Sequence, residues 1–236
     1  IKLTQGIEGF SLCDWYVNDI PEDNIVSLQE ENASLQAFVD SVNASGCTDS
    51  SACNYQALNL YDDGSCEYPE HGFDCNGFVI AEIGDIIKGG YLFYIDETGQ
   101  HGLVAASEDL GHFSWGCIGF DLVGADATII GTGYQNSLDI VSGCSQETSA
   151  AAQTIAYESN GFNDWFLPSK DELIEIYNSI GSASFQSNIA SFDENYWYWS
   201  SSEYNNDQSW CVNFGGGSVS PTDKSDTPKV RPIRSF

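Results

Sequence analysis

The sequence predicts an α+β protein in which a short coiled-coil helix and a small disulfide-rich module precede a larger domain of mixed strands and helices. Three observations predict this class. Apolar residues between Ile25 and Val42 recur at alternating spacings of three and four. Four of the eight cysteines lie between residues 47 and 75. From Ile83 onward, β-type runs with glycine turns alternate with helical patterns.

These patterns divide the chain into four parts. We assign residues 1–20 to a joining segment, 21–44 to a coiled-coil trimerisation helix, 45–78 to a cysteine-rich module and 79–236 to a binding domain.

Charge limits the partners that the chain can have. The sequence contains 35 Asp and Glu against 7 Lys and Arg, a formal net charge of −28. Such a surface repels polyanions, so we expect no nucleic-acid partner. No run approaches the roughly eighteen apolar residues of a membrane span, so we expect no direct membrane insertion. The excess of acidic residues is explained by binding of divalent cations, by a high-salt environment or by solubility alone.

The first predicted element is a helix with a narrow apolar seam. Asn32 is a polar residue at one a position of the heptad pattern. A single amphipathic helix packed on its own domain is the alternative, but a seam two residues wide better suits a partner helix. The seam does not by itself separate dimer from trimer, and we expect a parallel homotrimer. The seam residues are Ile25, Leu28, Asn32, Leu35, Val39 and Val42.

The next element is too short for an apolar core, so disulfides must stabilise it. We expect two disulfides among Cys47, Cys53, Cys66 and Cys75, with three possible pairings. Eight cysteines without a CxxC pair indicate an oxidising, extracellular compartment. Residues 46–66 resemble a short module (GCTD…ACNY…DDGSC) that recurs in extracellular proteins of environmental bacteria.

An acidic turn in this module is the candidate metal site. Asp62 and Asp63 precede Gly64, and paired carboxylates around a glycine turn suit Ca²⁺. The alternative is a plain turn closed by a disulfide.

Strands and helices follow in the larger domain. Residues 88–106 predict a hairpin, and Thr148 to Tyr157 predict an alanine-rich helix. The helix over 168–180 should begin at a capping box formed by Ser169 and Glu172. Residues 196–236 should be rich in strands, with a glycine turn at 215–217.

The tail between Tyr196 and Thr227 is the candidate binding surface. Its aromatic residues are interleaved with Ser, Asn and Asp, a composition typical of antibody paratopes. We expect Trp197, Trp199, Trp210 and Phe214 to be mostly buried. The predicted ligand-binding residues are Tyr196, Tyr198, Tyr204, Asn205, Asn206, Asp207, Gln208, Asn213 and Ser218.

Six motifs between residues 83 and 236 occur in the order of a known family. They are GGYLFYI (89–95), HGLVAA (101–106), GTGYQN (131–136), GFNDWFLPSKDEL (161–173), YWSSS (198–202) and VRPIRSF (230–236). Together they resemble the C-terminal domain of collagen-like bacterial adhesins of the Lcl type, which is related to C-type-lectin-like domains and formylglycine-generating enzymes. The resemblance implies a C-type-lectin-like α/β fold, trimers, and attachment to sugars or host surfaces.

The chain departs from that family in its charge. Binding of sulfated polysaccharide needs a basic face, whereas the few cations here cluster at Lys224, Lys229, Arg231 and Arg234. For Arg231 and Arg234 we expect a structural role, in which each guanidinium satisfies carboxylates or carbonyls.

Catalysis is not expected. No nucleophile elbow, zincin motif or P-loop is present, and among 35 acids no particular carboxylate pair is informative. Cys117 and Cys144 are expected to form a structural disulfide. The third thiol, Cys211, would pair elsewhere, with Cys13 as a candidate.

The sequence therefore predicts an extracellular adhesin, at a cell surface or at an appendage or fibre tip, that binds a cell-surface glycan or protein. Alternatives are a phage tail-fibre receptor-binding tip, a variable protein of a diversity-generating retroelement, a structural appendage cap and an extracellular glycan-processing enzyme.

Overall fold

The computed structural model describes residues 22–42, 45–185 and 187–236. Two compact units are present, one ending at Pro69 and the other comprising Glu70–Phe236. The predicted joining segment 1–20 and Cys13 lie outside the described residues. Residues 70–78, assigned above to the cysteine-rich module, group with the C-terminal unit.

Helix α1 (Glu22–Val42) confirms the predicted helix. Every side chain described between residues 26 and 39 is exposed, including the seam residues Leu28 (54%), Leu35 (59%) and Val39 (41%). The seam side chains described in this stretch are therefore open to solvent. The coiled coil itself stays a prediction.

The cysteine-rich segment is held by covalent bonds and by one asparagine. Cys47 is bonded to Cys66, and Cys53 and Cys75 are disulfide-bonded as well, so all four predicted cysteines are oxidised. Asn54 donates to the carbonyl of Ser65 (2.6 Å) and accepts from the amide of Glu67 (2.9 Å). These bonds replace the apolar core that the segment is too short to form.

The C-terminal unit contains two sheets and three described helices, which confirms the α+β class; the C-type-lectin-like assignment remains an expectation. The smaller sheet has the order β1-β2-β3-β9. Its strands are β1 (Ile86–Ile87), β2 (Gly90–Ile95), β3 (Gly102–Ala105) and β9 (Ile233–Ser235). Strands β2 and β3 pair antiparallel and form the hairpin predicted over 88–106.

The larger sheet has the order β4-β8-β5-β6-β7. Its strands are β4 (Gly111–His112), β5 (Trp197–Glu203), β6 (Gln208–Asn213), β7 (Val219–Asp223) and β8 (Lys229–Val230). Strands β5 and β8 are parallel, whereas the other pairs are antiparallel.

Three helices accompany the sheets. They are α2 (Gly133–Gly143), α3 (Ala150–Ile155) and α4 (Lys170–Ser179). Helix α4 begins at the predicted capping box, in which Ser169 and Glu172 each accept the other's backbone N–H. The alanine-rich prediction is confirmed by α3, whereas α2 lies where no element was predicted.

The core covers both faces of β5, so neighbouring residues on this strand are buried on opposite sides. Tyr198 packs with Phe214 and Val212, and Trp199 packs with Trp115 on the other side. Trp199 and Phe214 are fully buried, as predicted. Trp197 and Trp210 are half-buried.

The two C-terminal arginines hold distant segments together. Arg231 donates through Nε to Oδ1 of Asp109 (2.6 Å) and through Nη1 to the carbonyls of Ala106 and Ala190 (both 3.0 Å). Arg234 binds both carboxylate oxygens of Asp164 (2.6 and 2.7 Å), and these bonds lower the pKa of Asp164. The structural role predicted for both arginines is confirmed.

Candidate functional site

The turn between β5 and β6, residues 204–207, presents four predicted ligand-binding residues at the surface. Tyr204 is 51% exposed, and Asn205, Asn206 and Asp207 are exposed. Two backbone hydrogen bonds from other segments hold the turn in place. The carbonyl of Asn206 accepts from the amide of Gly119, and the carbonyl of Asp207 accepts from the amide of Lys224, both at 2.9 Å. We call residues 204–207 the hairpin tip.

Side chains at the hairpin tip have different roles. The Asn205 side chain accepts the amides of Asp207 (2.9 Å) and Gln208 (2.8 Å), so it shapes the turn. The Tyr204 ring packs edge-on against Trp210, with centroids 4.9 Å apart. The side chains of Asn206 and Asp207 form no hydrogen bond to another described residue, so both are available to a ligand.

A cleft of about 560 Å³ opens beside the hairpin tip. At its base, the buried Glu203 carboxylate forms an ion pair with buried Lys224 and accepts the amide of Leu122 (3.0 Å). Burial raises the pKa of Glu203, and the hydrogen bond and charge of Lys224 oppose that rise. Asp121 and Asp126 on the wall are exposed, which makes the cleft negative.

An exposed apolar loop, which was not predicted from the sequence, adjoins this cleft. Ile118, Phe120 and Val123 are 46%, 67% and 90% exposed. Their backbone is nevertheless held, since Lys224 donates to the carbonyl of Phe120 (2.8 Å). The spacings of two and three between these residues match neither a strand nor a helix, and that mismatch was the available signal. We call residues 118–123 the apolar loop.

The other predicted ligand-binding residues lie elsewhere. Gln208 begins β6 and is half-buried beside the hairpin tip, whereas Tyr196, Asn213 and Ser218 lie at the opposite end of the β5–β6 hairpin. A strand rises about 3.3 Å per residue, so roughly 20 Å separates the two ends. The nine residues therefore do not form one patch. Asn213 caps its own turn by accepting the amides of Gly215 (3.1 Å) and Gly216 (3.0 Å).

Tyr198 was wrongly predicted to contact ligand. Its side chain is fully buried, and its hydroxyl donates to Oδ2 of Asp109 (2.9 Å) while accepting the amide of Asp193 (2.8 Å). Burial, with the adjacent charge of Asp109, raises the pKa of Tyr198 far above its usual value. The residue is a structural part of the core.

Every basic side chain in the described ranges is already paired with a carboxylate. The pairs are Lys88–Glu70, Lys170–Asp171, Lys224–Glu203, Lys229 with Asp109 and Asp193, Arg231–Asp109 and Arg234–Asp164. This part of the protein therefore offers no unpaired cation to a sulfate group.

The predicted metal turn is shaped by its own carboxylates. Asp62 accepts the amide of Gly64 and Asp63 accepts that of Ser65, both at 3.0 Å. The hydrogen bonds from Ser65 lower the pKa of Asp63. Within the described residues, no group of three or more His, Cys, Asp or Glu side chains is arranged to hold a metal ion. Calcium binding at this turn stays a prediction.

The disulfide between Cys117 and Cys144 is confirmed. The expectation that Cys211 also pairs is wrong, because its thiol is free and buried in a cluster with Trp115 and Trp199. Burial raises the pKa of this thiol well above its usual value, so it is unreactive.

None of the described helices is both long and apolar enough to span a bilayer.

Comparison with known proteins finds a family match within the C-terminal unit. Residues 120–234 match the family described as the Lcl C-terminal domain, which confirms the similarity of this part of the chain to Lcl-type adhesins. No curated protein matches the chain. A solved structure of a fimbrial protein from Bacteroides ovatus is similar at 17% identity, with a TM-score of 0.44 over 76% of this chain and 52% of that one. The present chain thus spans about half the length of that protein.

Proposed function

We propose, from the premise that residues 120–234 form an Lcl C-terminal domain, that this chain is an extracellular adhesin-like protein that binds a surface glycan or protein through the hairpin tip and the apolar loop. Its disulfides suit an oxidising compartment outside the cell. The same contact surface would serve an adhesin at a cell surface, on an appendage or at a phage fibre tip.

One observation carries this proposal: large side chains point outward from a backbone that is fixed. Phe120, Val123 and Tyr204 are more than half exposed, although the hairpin tip and the apolar loop bond each other through Gly119 and Asn206. Exposed apolar groups on a rigid support are typical of binding surfaces. Because the support is already ordered, little conformational entropy is lost on binding.

Charge narrows the class of ligand. The described cations are all paired, and the cleft carries the exposed carboxylates of Asp121 and Asp126. An anionic ligand would meet repulsion with no compensating ion pair. We therefore favour an uncharged or positively charged ligand over a sulfated polysaccharide.

Oligomerisation would strengthen attachment. The exposed seam of α1, with Leu28 and Leu35, supports a parallel homotrimer. In a trimer, three weak sites act at high effective concentration, so firm attachment does not need a tight single site.

Changing Tyr204 and Asn206 together to Ala should reduce binding at least tenfold while the melting temperature stays within a few degrees. Both side chains are exposed, and such changes usually alter stability by about 0.5 kcal/mol or less. Loss of a central aromatic contact can weaken binding by about 2 kcal/mol or more. The measurement is binding to an array of glycans and proteins, followed by attachment of protein-coated beads to each hit.

Ser218→Ala is the matched control, since Ser218 is exposed at the opposite end of the hairpin. Full binding by the double variant, combined with loss on altering residues 45–69, would place recognition in the cysteine-rich segment. Turnover of an array hit would instead favour the glycan-processing alternative.

Calcium should raise the melting temperature by a few degrees relative to chelator if Asp62 and Asp63 hold the ion, because a ligand of the native state stabilises it. Thermal melts in calcium, magnesium and chelator measure this. The variant Asp62→Asn with Asp63→Asn should lose the calcium shift. Equal shifts of the melting temperature in calcium and magnesium would indicate charge screening. An unchanged melting temperature would mean that calcium does not bind this turn.

A further inference from the structure

A second cleft, of about 450 Å³, opens beside the first residues of β5. The segment between β7 and β8 forms its other wall. The lining residues are Asn195, Tyr196, Trp197, Thr222, Asp226, Thr227 and Pro228. We call this the β5 cleft; none of its residues belongs to the hairpin tip or the apolar loop.

Tyr196 gives the β5 cleft an aromatic wall in a defined position. The ring is 42% exposed. The Lys229 ammonium lies 4.9 Å from its centroid, and the His112 ring contacts it in an edge-on geometry at 5.0 Å. Lys229 is held in turn by Asp109 (3.2 Å) and Asp193 (3.0 Å). Tyr196 is therefore preorganised while part of its surface remains open.

Two residues that line the same cleft carry polar groups that bond no other described residue. The indole N–H groups of Trp115 and Trp199 donate to carbonyls at 2.8 Å, whereas that of half-buried Trp197 donates to no other described residue and is not sealed from solvent. The exposed Asp226 carboxylate likewise accepts from no described residue. Two residues that line the β5 cleft beside the Tyr196 ring, Trp197 and Asp226, thus carry a donor and an acceptor that bond no other described residue.

We propose that the β5 cleft binds one pyranose unit of an uncharged saccharide. A pyranose has an apolar C–H face that can pack on Tyr196 and a rim of hydroxyls that can accept from Trp197 and donate to Asp226. The volume falls in the usual range for small-molecule sites, about 300–1,000 Å³. Asp226 would repel an acidic sugar, and the one nearby cation, Lys229, is already paired with two carboxylates.

This inference goes beyond the proposed function, because it assigns a ligand to a site separate from the adhesive surface. Saturation-transfer NMR with methyl β-glucoside, methyl β-galactoside and methyl α-mannoside tests it, with glucuronate as the charged counterpart. At least one neutral glycoside should bind in the millimolar range and shift the Trp197 indole N–H resonance. Glucuronate should bind at least tenfold more weakly.

Asp226→Ala should weaken binding of the neutral glycoside about tenfold, which is the effect of losing one hydrogen bond to a charged group. Its fold should be unchanged, because the side chain bonds to no described residue. Asp207→Ala at the hairpin tip removes the same charge elsewhere and should leave glycoside binding unchanged. Tyr196→Ala should abolish it.

The inference is overturned if no neutral glycoside binds, if glucuronate binds equally well, or if Asp226→Ala and Tyr196→Ala both retain full binding. It can fail independently of the adhesive surface. The Tyr204→Ala, Asn206→Ala variant should keep glycoside binding, whereas Asp226→Ala should keep bead attachment through the hairpin tip.

Discussion

Replacing Arg231 by Met should lower the free energy of unfolding by about 3–5 kcal/mol, the range seen when one partner of a buried ion pair is removed. Arg231 is 2% exposed. Its loss would leave two carbonyls, those of Ala106 and Ala190, without their donor. The largely buried Asp109 would also lose its nearest cation and would keep only Lys229 and the Tyr198 hydroxyl as partners. Urea unfolding with an unchanged m-value measures the effect.

Arg234→Met is the matched control for this prediction. Its partner Asp164 has a half-exposed side chain, so water can replace the lost bonds and the loss should be smaller. The free energy of unfolding of Arg231→Lys should lie between those of the wild type and Arg231→Met. A lysine ammonium restores the charge, but it lacks the planar guanidinium that bonds three acceptors at once. A loss below about 1 kcal/mol for Arg231→Met would mean that desolvation of the guanidinium cancels its bonds.

Changing Leu28 and Leu35 to Asp should convert a trimer into monomers. Both residues occupy the exposed seam of α1, and a trimer would bury two unpaired carboxylates per chain, which is strongly unfavourable. Light scattering should give about three times 25.7 kDa for the wild type and the single-chain mass for the variant.

Ala33→Asp with Ala37→Asp adds the same charge to the same helix away from the seam, at heptad positions that face solvent. This control should remain trimeric. A wild-type chain that is monomeric at micromolar concentration would contradict the coiled-coil assignment.

Local patterns allowed most of the elements to be predicted. The β2–β3 hairpin and the capping box at Ser169 each depend on residues close in sequence, and the structure confirms both. Burial of Trp199 and Phe214 followed from their bulk. Long-range contacts were not predictable in this way. The apolar loop meets Lys224 across 104 residues of sequence, and nothing near position 120 indicates that partner.

The error at Tyr198 has a physical cause. Neighbouring residues of a strand point to opposite faces, and one face of an antiparallel sheet is commonly solvated, so Tyr198, between Trp197 and Trp199, was expected on a solvated face. In β5 both faces are covered, so Ser200, Ser201 and Ser202 are buried along with the aromatic rings. Their hydroxyls bond to main-chain carbonyls and side chains, as when Ser200 donates to the carbonyl of Trp210 (2.8 Å). Composition alone therefore overstated how much of the tail is surface.

The position of β9 sets the order of events during synthesis. This strand pairs with β3, more than 120 residues earlier, and Arg234 bonds the carbonyl of Lys88. Ribosomes add about 5–20 residues per second, so β3 waits several seconds or more for its partner. The smaller sheet can close only after residues 233–235 have emerged from the ribosome. The C-terminal unit therefore completes its smaller sheet only at the end of its own synthesis, when its last strand becomes available.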